Sequence, residues 1–326
     1  MKRKPHFLWI TDPWETLDLT HDTTLRLAQE AFEMGIQQSW CNVKSIGLHD
    51  SQVYLNASAF ISLPKDRIQL RLAPSQTRSP QEFSHILYRT DPPVDLDYLH
   101  PLQLLALSLR DVKKCETINP LSVLLSANEK IQAARLKDFM PPSQVSSQWE
   151  CLLKFGQKER KTVLKPLHET QSHGVELLVW KNKEDLEENQ KKLRKATLNF
   201  TRPVVLQKYL EGITEGEVRL WFLDGKLLGS AKKLPLTGDF RVNIDGGSRL
   251  AAYSLNHQER LKITPISRHL RKEGIRLAAI DLIEGWITDF NFTSPGLLTQ
   301  MEALLKKNLA GPIISALAKP ANLGKR

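Results

Sequence analysis

The stretch ITDFNFTSP, residues 287–295, places two oxygen-bearing side chains at alternate positions of a predicted β-strand. Side chains in a strand alternate between its two faces, so Ile287, Asp289 and Asn291 are expected on one face and the intervening residues on the other. One face would then pack against the protein while the other presents oxygen atoms. An ordinary solvated hairpin would also explain this pattern.

A second strand is expected just before it. The stretch LAAIDLIEG, residues 277–285, is apolar except for Asp281, and the pair Glu284-Gly285 indicates a tight hairpin turn. The hairpin would bring Asp281, Asp289 and Asn291 into one small volume. Carboxylate and amide oxygens are hard ligands that suit Mg²⁺, with Mn²⁺ as an alternative. The spacing therefore predicts a metal site.

Composition indicates a globular protein of several domains. The chain has 326 residues, with 41% hydrophobic and 25% charged residues, and a chain of this length is usually divided into two or three domains. The net charge of +10 allows a nucleic-acid binder. However, the densest basic stretch, residues 181–197, mixes both signs of charge, which is typical of a solvated helix face. We therefore expect anionic small molecules, and not nucleic acid, as partners.

The chain offers little sign of secretion or membrane insertion. The apolar part of its first residues is only FLWI, which is too short for a signal peptide, and no apolar run reaches the length of a membrane span. The three cysteines, Cys41, Cys115 and Cys151, are few and far apart, so they indicate neither a disulfide framework nor a zinc site. We expect a cytoplasmic protein without membrane contact.

The first part of the chain alternates strands and a helix. Strands are predicted at residues 7–10, 53–61, 68–73 and 85–89, and a helix over residues 23–35 that stops at Gly35. The last of these strands runs into the loop TDPPVD, and open α/β sheets bind ligands at such strand ends. We assign residues 1–118 to an N-terminal α/β domain.

The remainder is predicted to form two α+β domains, over residues 119–202 and 203–318, with a tail at 319–326. A helix is expected within residues 119–141, with Asn128 near its start and Lys130 in its first turn. The strand TVLKPL ends at Lys165-Pro166, and a further strand is expected over residues 203–210. The pair Asp224-Gly225 indicates another hairpin, and Asn256 with Glu259 indicates a capping box.

The ordered set of these motifs resembles the prokaryotic glutathione synthetase family of ATP-grasp ligases. The resemblance extends over residues 7–318. It is carried by ITDPWETLDLTHDTT, LYRTDPPVDLDYL, NPLSVLLSANEK, VLKPL, LQKYL with GEVRLWFLDGK, GDFRVNIDGG, and IDLIEGWITDFNFTSP. It implies an α/β fold with a three-domain ATP-grasp architecture, in which an N-terminal α/β domain precedes two α+β domains that hold ATP.

The resemblance also implies roles for individual residues. The expected nucleotide contacts are the phosphate-binding lysines Lys130 and Lys165, the residues Thr170, Gln171 and Gly174 of the phosphate loop at 168–175, the adenine contacts Gln207, Tyr209 and Leu210, and the acidic ribose contact Glu217. The expected metal ligands are Asp281, Asp289 and Asn291. Arg219 and Arg241 are expected to act on the phosphate and the acyl group. The expected substrate contacts are Arg89, Asn243, Gly246, Gly247 and Ser294.

Three departures from the family pattern bear on substrate identity. The loop HETQSHGV, residues 168–175, contains one glycine where the family has a glycine-rich loop, and it also resembles the loop of the ribosomal-protein glutamate ligases. Glu169 in that loop would repel a triphosphate if it faced it. Asp289 replaces the more usual glutamate, and Thr90 replaces a second basic residue beside Arg89.

The resemblance predicts an ATP-dependent carboxylate-amine ligase that forms a peptide bond through an acyl phosphate. The expected substrates are γ-glutamylcysteine and glycine, and a homo-oligomer, either a dimer or a tetramer, is expected. One alternative is a ligase of the same fold that adds glutamate or another amino acid to a different acceptor. A second alternative is a nucleotide-binding homologue with weakened catalysis.

Overall fold

The N-terminal part of the chain forms a mixed sheet flanked by two helices. The computed structural model describes residues 4–64, 70–136, 138–169, 173–244 and 246–319. The strands of the first sheet are β1 (His6–Thr11), β2 (Gln37–Asn42), β3 (Gly47–His49), β4 (Gln52–Ser62), β5 (Arg71–Leu72), β6 (Gln76–Arg78), β7 (His85–Tyr88) and β8 (Glu116–Ile118). The helices are α1 (Thr23–Glu33) and α2 (Leu96–Leu109).

The order of the first sheet is β3-β4-β2-β1-β7-β8, and β5 and β6 pair with β4. Strand β1 runs parallel to β2 and β7, and β7 runs parallel to β8, which confirms the α/β prediction. The predicted strand at residues 68–73 is reduced to Arg71–Leu72 among the described residues. Asp22 caps helix α1 by accepting a hydrogen bond from the Leu25 backbone N–H.

The middle of the chain forms an antiparallel sheet in the order β11-β10-β12-β9. Its elements are α3 (Leu121–Ser126), β9 (Ser143–Ser146), α4 (Trp149–Glu159), β10 (Lys161–Pro166), β11 (Glu176–Val179), α5 (Lys183–Ala196) and β12 (Val204–Lys208). The domain boundaries remain a prediction. Strand β12 lies after the predicted boundary at residue 202, yet it pairs with β10 and β9.

The last part of the chain forms an antiparallel sheet in the order β15-β14-β13-β16-β17. Its elements are β13 (Glu217–Leu223), β14 (Lys226–Leu234), β15 (Arg249–Ala252), α6 (His257–Glu273), β16 (Leu277–Ile283), β17 (Trp286–Asn291), α7 (Leu298–Leu305) and α8 (Ala310–Leu317). Both predicted hairpin turns and the predicted capping box are confirmed. None of the helices in the described ranges has the length and apolarity that crossing a membrane requires.

The predicted helix within residues 119–141 is wrong over most of its length. Helix α3 ends at Ser126, and Lys130 lies in a turn beyond it rather than in the first turn of a helix. The physical reason is local competition, because the Asn128 side chain accepts a hydrogen bond from the Lys130 backbone N–H (3.0 Å). A short 3₁₀-helix follows at Gln132–Arg135.

The apolar cores of the three sheets are arranged in two groups. The first and last sheets share continuous apolar clusters, in which Leu8 and Ile10 of β1 are grouped with Leu220 and Ile280 of the last sheet. The middle sheet has its own cluster, which includes Leu164 of β10 and Trp180. The middle sheet therefore folds around a separate core, and Lys165 of its inner strand β10 reaches the last sheet by donating a hydrogen bond to the Thr288 carbonyl oxygen.

The core of the middle sheet leaves no room at Gly156 of α4, because an added Cβ would overlap the indole of Trp180. We expect Gly156→Ala to lower the free energy of unfolding by about 1–3 kcal/mol, since overpacking outweighs the gain in helix propensity. Urea unfolding measures the change. Gly296→Ala is the control, because its added methyl meets nothing within 4 Å. Equal stability of both variants would contradict this packing.

Candidate active site

A cleft of about 540 Å³ lies where the three sheets approach one another. Fourteen of the sequence-predicted site residues line it: Arg89, Lys130, Lys165, Gln207, Tyr209, Leu210, Glu217, Arg219, Arg241, Asn243, Asp281, Asp289, Asn291 and Ser294. Gly174, Gly246 and Gly247 are not among its lining residues. Thr170 and Gln171 lie outside the described residues.

The predicted oxygen-bearing hairpin is formed by β16 and β17, but with a bulge. Asp281 pairs with Asp289, whereas the next pair is Leu282 with Ile287, so Thr288 is an extra residue in the ladder. Ile287 is therefore shifted to the apolar face, where it is buried in the core. The prediction that Ile287 shares a face with Asp289 and Asn291 is wrong for this reason.

Asp281 is the most strongly paired side chain in the cleft. Its Oδ1 accepts from Arg219 Nε (2.8 Å), and its Oδ2 accepts from Arg219 Nη2 (2.6 Å) and Lys233 Nζ (3.1 Å). Arg219 lies directly opposite Asp281 in the sheet, which fixes this fork-like pair. Burial alone would raise the pKa of Asp281, but the Arg219 and Lys233 charges outweigh burial and hold that pKa well below its usual range.

Asp289 differs from Asp281 in the hydrogen bonding of its carboxylate. Its Oδ1 is buried and has no hydrogen-bond partner among the described residues. Beside it, the Asn291 amide nitrogen donates to Ala279 O (3.1 Å) and to Asp281 Oδ2 (3.2 Å), so the amide oxygen is the group left for a ligand. A buried carboxylate oxygen without a partner is costly unless a cation satisfies it. These three side chains therefore fit a hard divalent cation.

The two predicted phosphate lysines approach the cleft from different segments. Lys165 Nζ donates to Gln207 Oε1 (3.0 Å) and to the Thr288 carbonyl oxygen (2.9 Å), which joins β10 to β17. Burial lowers the pKa of Lys165. Lys130 Nζ donates to the Glu169 carbonyl oxygen. The Glu169 carboxylate lies 3.4 Å from His168 Nε2, and Glu169 also lines the cleft.

The expected adenine side is built around Tyr209. The Lys161 ammonium lies 3.8 Å from the centre of the Tyr209 ring, and the Phe240 ring lies 6.2 Å from it. Glu217, the expected ribose contact, is buried and paired with Lys233 Nζ (2.5 Å) and Thr288 Oγ1 (2.7 Å). Glu217 is thus held next to the Asp281 pair rather than extended toward solvent.

The expected substrate end contains one buried and one exposed arginine. Arg89 donates from Nε to Thr24 Oγ1 (3.1 Å) and from Nη2 to Pro295 O (3.0 Å), and burial lowers its pKa. Ser294 Oγ donates to the Arg89 carbonyl oxygen (3.4 Å). In contrast, the half-exposed Arg241 side chain pairs with Asp239 (3.1 Å).

The three predicted glycines outside the cleft wall lie in nearby loops. Gly246 donates its backbone N–H to Asn243 Oδ1 (3.3 Å), and Gly247 has a φ of +99°. Gly174 has a φ of +66°, and a Cβ there would lie 2.8 Å from Pro166 Cγ. Both conformations favour glycine. The roles expected for these residues remain predictions.

Sequence reasoning missed a number of the residues that line the cleft, among them Lys233 and Glu129. Lys233 lies between Glu217 and Asp281, and Glu129 is buried against the end of β17. The strand pattern of Lys232 and Lys233 shows that only one of the two faces inward, but not which one. Glu129 carried a weaker signal, its position immediately before Lys130 in the quoted stretch NPLSVLLSANEK.

Comparison with known proteins identifies the family from matches to two of its domains. The family described as prokaryotic glutathione synthetase, ATP-grasp domain, matches residues 129–306, and the N-terminal domain of the same family matches residues 6–122. Glutathione synthetase of Prochlorococcus marinus subsp. pastoris is 29% identical over 95% of this chain and 98% of its own length. Glutathione synthetase of Xylella fastidiosa is 26% identical over 94% of this chain and 96% of its own length.

Solved structures share the fold at low sequence identity. D-cycloserine synthetase superposes with a TM-score of 0.66 at 17% identity, covering 96% of this chain and 98% of its own. D-alanyl-alanine synthetase A from Vibrio cholerae gives a TM-score of 0.64 at 11% identity, with 97% of each chain covered. Because the ATP-grasp domain match alone spans more than half of the sequence, the chain belongs to the prokaryotic glutathione synthetase family and is an ATP-dependent ligase that forms C–N bonds.

Proposed function

We propose that this protein joins γ-glutamylcysteine to glycine with hydrolysis of ATP to ADP and phosphate. The observation that carries the proposal is the meeting of Asp281, Asp289 and Asn291 with Lys130 and Lys165 in one cleft, in a chain of this family. Oxygen ligands and fixed cations are what a triphosphate and its metal need. The choice of reaction rests on the name glutathione synthetase that the relatives carry.

We assign Mg²⁺, or Mn²⁺ in its place, to Asp281, Asp289 and Asn291. The orphaned Oδ1 of Asp289 supports this assignment, because an ion would satisfy it. When bound, the ion neutralises charge on the phosphates and orients them. The negative charge of Asp281 is already balanced by Arg219 and Lys233. Asp289 would therefore contribute more of the negative charge that attracts the ion.

The first chemical step forms an acyl phosphate. A carboxylate oxygen of γ-glutamylcysteine attacks the γ-phosphorus of ATP, a new P–O bond forms, and the bond to the bridging oxygen breaks to release ADP. Lys130 and Lys165 are placed to hold the phosphates in line for this attack. Fixed cations lower the barrier because they require no reorganisation as the charge moves.

The second step forms the peptide bond. The glycine amine attacks the acyl carbon, and phosphate leaves with the electron pair of the C–O bond after the nitrogen loses a proton. Negative charge develops on the tetrahedral oxygen and on the leaving phosphate. We assign its stabilisation to Arg219 and Arg241. Arg219 is held by Asp281, whereas Arg241 lies on the exposed wall of the cleft and would have to exchange Asp239 for a bound phosphate.

We place this reaction in the reducing cytoplasm, which suits the free thiols of Cys41 and Cys151. The proposed assembly is a homo-oligomer of two or four chains, and light scattering of the purified protein checks its mass. The proposed partners are the small-molecule acid and amine substrates.

A substrate panel tests the proposed reaction. Purified protein with ATP, Mg²⁺, γ-glutamylcysteine and glycine is expected to release phosphate and ADP, because the amine is needed to consume the acyl phosphate. Omitting either substrate is expected to stop sustained release. Turnover with glutamate and another acceptor, but none with the first pair, would assign the protein to the alternative amino-acid ligases. Nucleotide-dependent thermal stabilisation without ADP formation on any pair would indicate a weakened homologue.

Asp289→Asn tests the metal assignment. Removing one fixed electrostatic group typically costs about 10²–10³ in kcat, and we expect a loss of that size here. The melting temperature is expected to remain nearly unchanged, since Asp289 Oδ1 makes no hydrogen bond that the change would break. Steady-state kinetics over a range of Mg²⁺ concentrations and a thermal melt measure both effects. A fully active variant would remove Asp289 from the metal site.

Unlike Asp289→Asn, Asp281→Asn is expected to lower the free energy of unfolding. It leaves Arg219 and Lys233 buried without their shared carboxylate, and breaking a buried ion pair from one side typically costs about 3–5 kcal/mol. Urea unfolding of the metal-free protein measures this loss. Asp289→Asn is the matched control on the neighbouring strand. Equal stability of the two variants would mean that the Asp281 ion pairs do not contribute as described.

A further inference from the structure

Glu129 makes an unusual set of contacts at the end of the predicted metal strand. Its Oε1 accepts three hydrogen bonds, from Phe292 N (2.6 Å), Thr293 N (2.7 Å) and Thr293 Oγ1 (2.9 Å). These donors immediately follow Asn291, the last residue of β17. The side chain is buried. A single carboxylate oxygen therefore holds the backbone that leaves the metal ligands.

The residues on either side of Glu129 contact the opposite wall of the cleft. Asn128 Nδ2 donates to Leu167 O (2.7 Å), and Lys130 Nζ donates to Glu169 O. Both acceptors lie just after β10. Leu167 follows the strand directly, and Glu169 belongs to the loop at residues 168–175. Residues 128–130 thus contact the loop segment of the middle sheet and the strand end of the last sheet.

A hydrogen bond closes the turn that these residues form, because Asn128 Oδ1 accepts the Lys130 backbone N–H (3.0 Å). The turn connects Lys130, which contacts Glu169, to Glu129, whose hydrogen bonds reach residues 292 and 293. Lys165 provides a second connection, because its Nζ donates to the Thr288 carbonyl oxygen within β17.

We propose that Glu129 is a positioning residue that couples nucleotide binding at the phosphate loop to metal binding at the end of β17. This inference rests on the proposed function, because it requires both ligands. Contact of a triphosphate with Lys130 would shift the turn, and Glu129 would pass the shift to the metal strand. By linkage, the metal would then raise the affinity for nucleotide and the nucleotide would raise the affinity for metal by the same factor.

Glu129→Gln tests the coupling and keeps an oxygen that can accept the same backbone N–H groups. Binding of a nonhydrolysable ATP analogue is measured by calorimetry in EDTA and in saturating Mg²⁺, and the ratio of the two affinities is the coupling factor. Charge-assisted hydrogen bonds become neutral ones in the variant, so we expect the coupling factor to fall about tenfold. The affinity in EDTA is expected to change less than about twofold, within the scatter of independent sites.

Mn²⁺ provides the reciprocal measurement. Its affinity, measured by electron paramagnetic resonance with and without the analogue, is expected to lose the same coupling factor in the variant. Removing a negative charge near the site without any coupling would instead lower Mn²⁺ affinity equally in both conditions. An unchanged ratio in Glu129→Gln would overturn the proposal and leave the proposed function intact. A wild-type protein that binds no analogue would overturn both.

Glu302→Gln is a control away from the cleft that removes a comparable carboxylate and, in addition, an ion pair with Arg26 (2.7 Å). Glu302 Oε1 also accepts two backbone N–H groups, from Leu309 (2.7 Å) and Ala310 (2.8 Å), but it is not among the residues that line the cleft. Its coupling factor is expected to match that of the wild type. A fall as large as in Glu129→Gln would show a general loss of structure and would overturn the assignment to Glu129.

Thr293→Val gives an independent check within the same contact. It removes the hydroxyl donor to Glu129 and leaves both backbone N–H donors in place. We expect the same direction of change with a smaller fall, about threefold, since one of three hydrogen bonds is lost. A change in analogue affinity that is equal in EDTA and in Mg²⁺ would contradict the coupling.

Discussion

The buried carboxylate of Asp281 is the interaction on which the organisation of the cleft depends. It accepts both ends of the Arg219 guanidinium fork and the Lys233 ammonium, and Lys233 in turn pairs with Glu217. Such a group of charges is stable in the interior only when each one is paired. The arrangement therefore fixes the side chains of three neighbouring strands before any ligand binds. Among the described residues, Asp289 Oδ1 is left as a buried carboxylate oxygen without a hydrogen-bond partner.

The cleft lies between the middle sheet, which has its own core, and the first and last sheets, which pack against each other. Apolar clusters join the first sheet to the last, whereas the middle sheet packs around its own core. Polar contacts connect the middle sheet to the last one, notably from Lys165 to the Thr288 carbonyl and through residues 128–130. Ligands that contact these same groups would change how the two sheets are held together, which suits a site that closes around a nucleotide.

Local sequence was a good guide wherever local chemistry decides the conformation. The turns at Asp224-Gly225 and Glu284-Gly285 form as predicted. Both residues of each turn have positive φ values, and glycine, which adopts them readily, takes the second position of both turns. The capping box at Asn256 likewise follows from two side chains within one helical turn. The hairpin of β16 and β17, and with it the closeness of Asp281 and Asp289, was predictable for this reason.

Contacts between distant segments decided the rest. The bulge at Thr288 moves Ile287 into the core, where its backbone N–H donates to Phe139 O (2.7 Å), and no pattern within residues 287–295 specifies that partner. The turn at Asn128 replaces a predicted helix and is held by Glu129 bonds to residues more than 160 positions away. The sequence by itself thus determined the family and the hairpins, and most of the site residues that it predicted line the cleft. Only the tertiary structure decided the ion pairs of Asp281 and the burial of Asp289 Oδ1 without a hydrogen-bond partner among the described residues, because burial and pairing depend on which strands become neighbours.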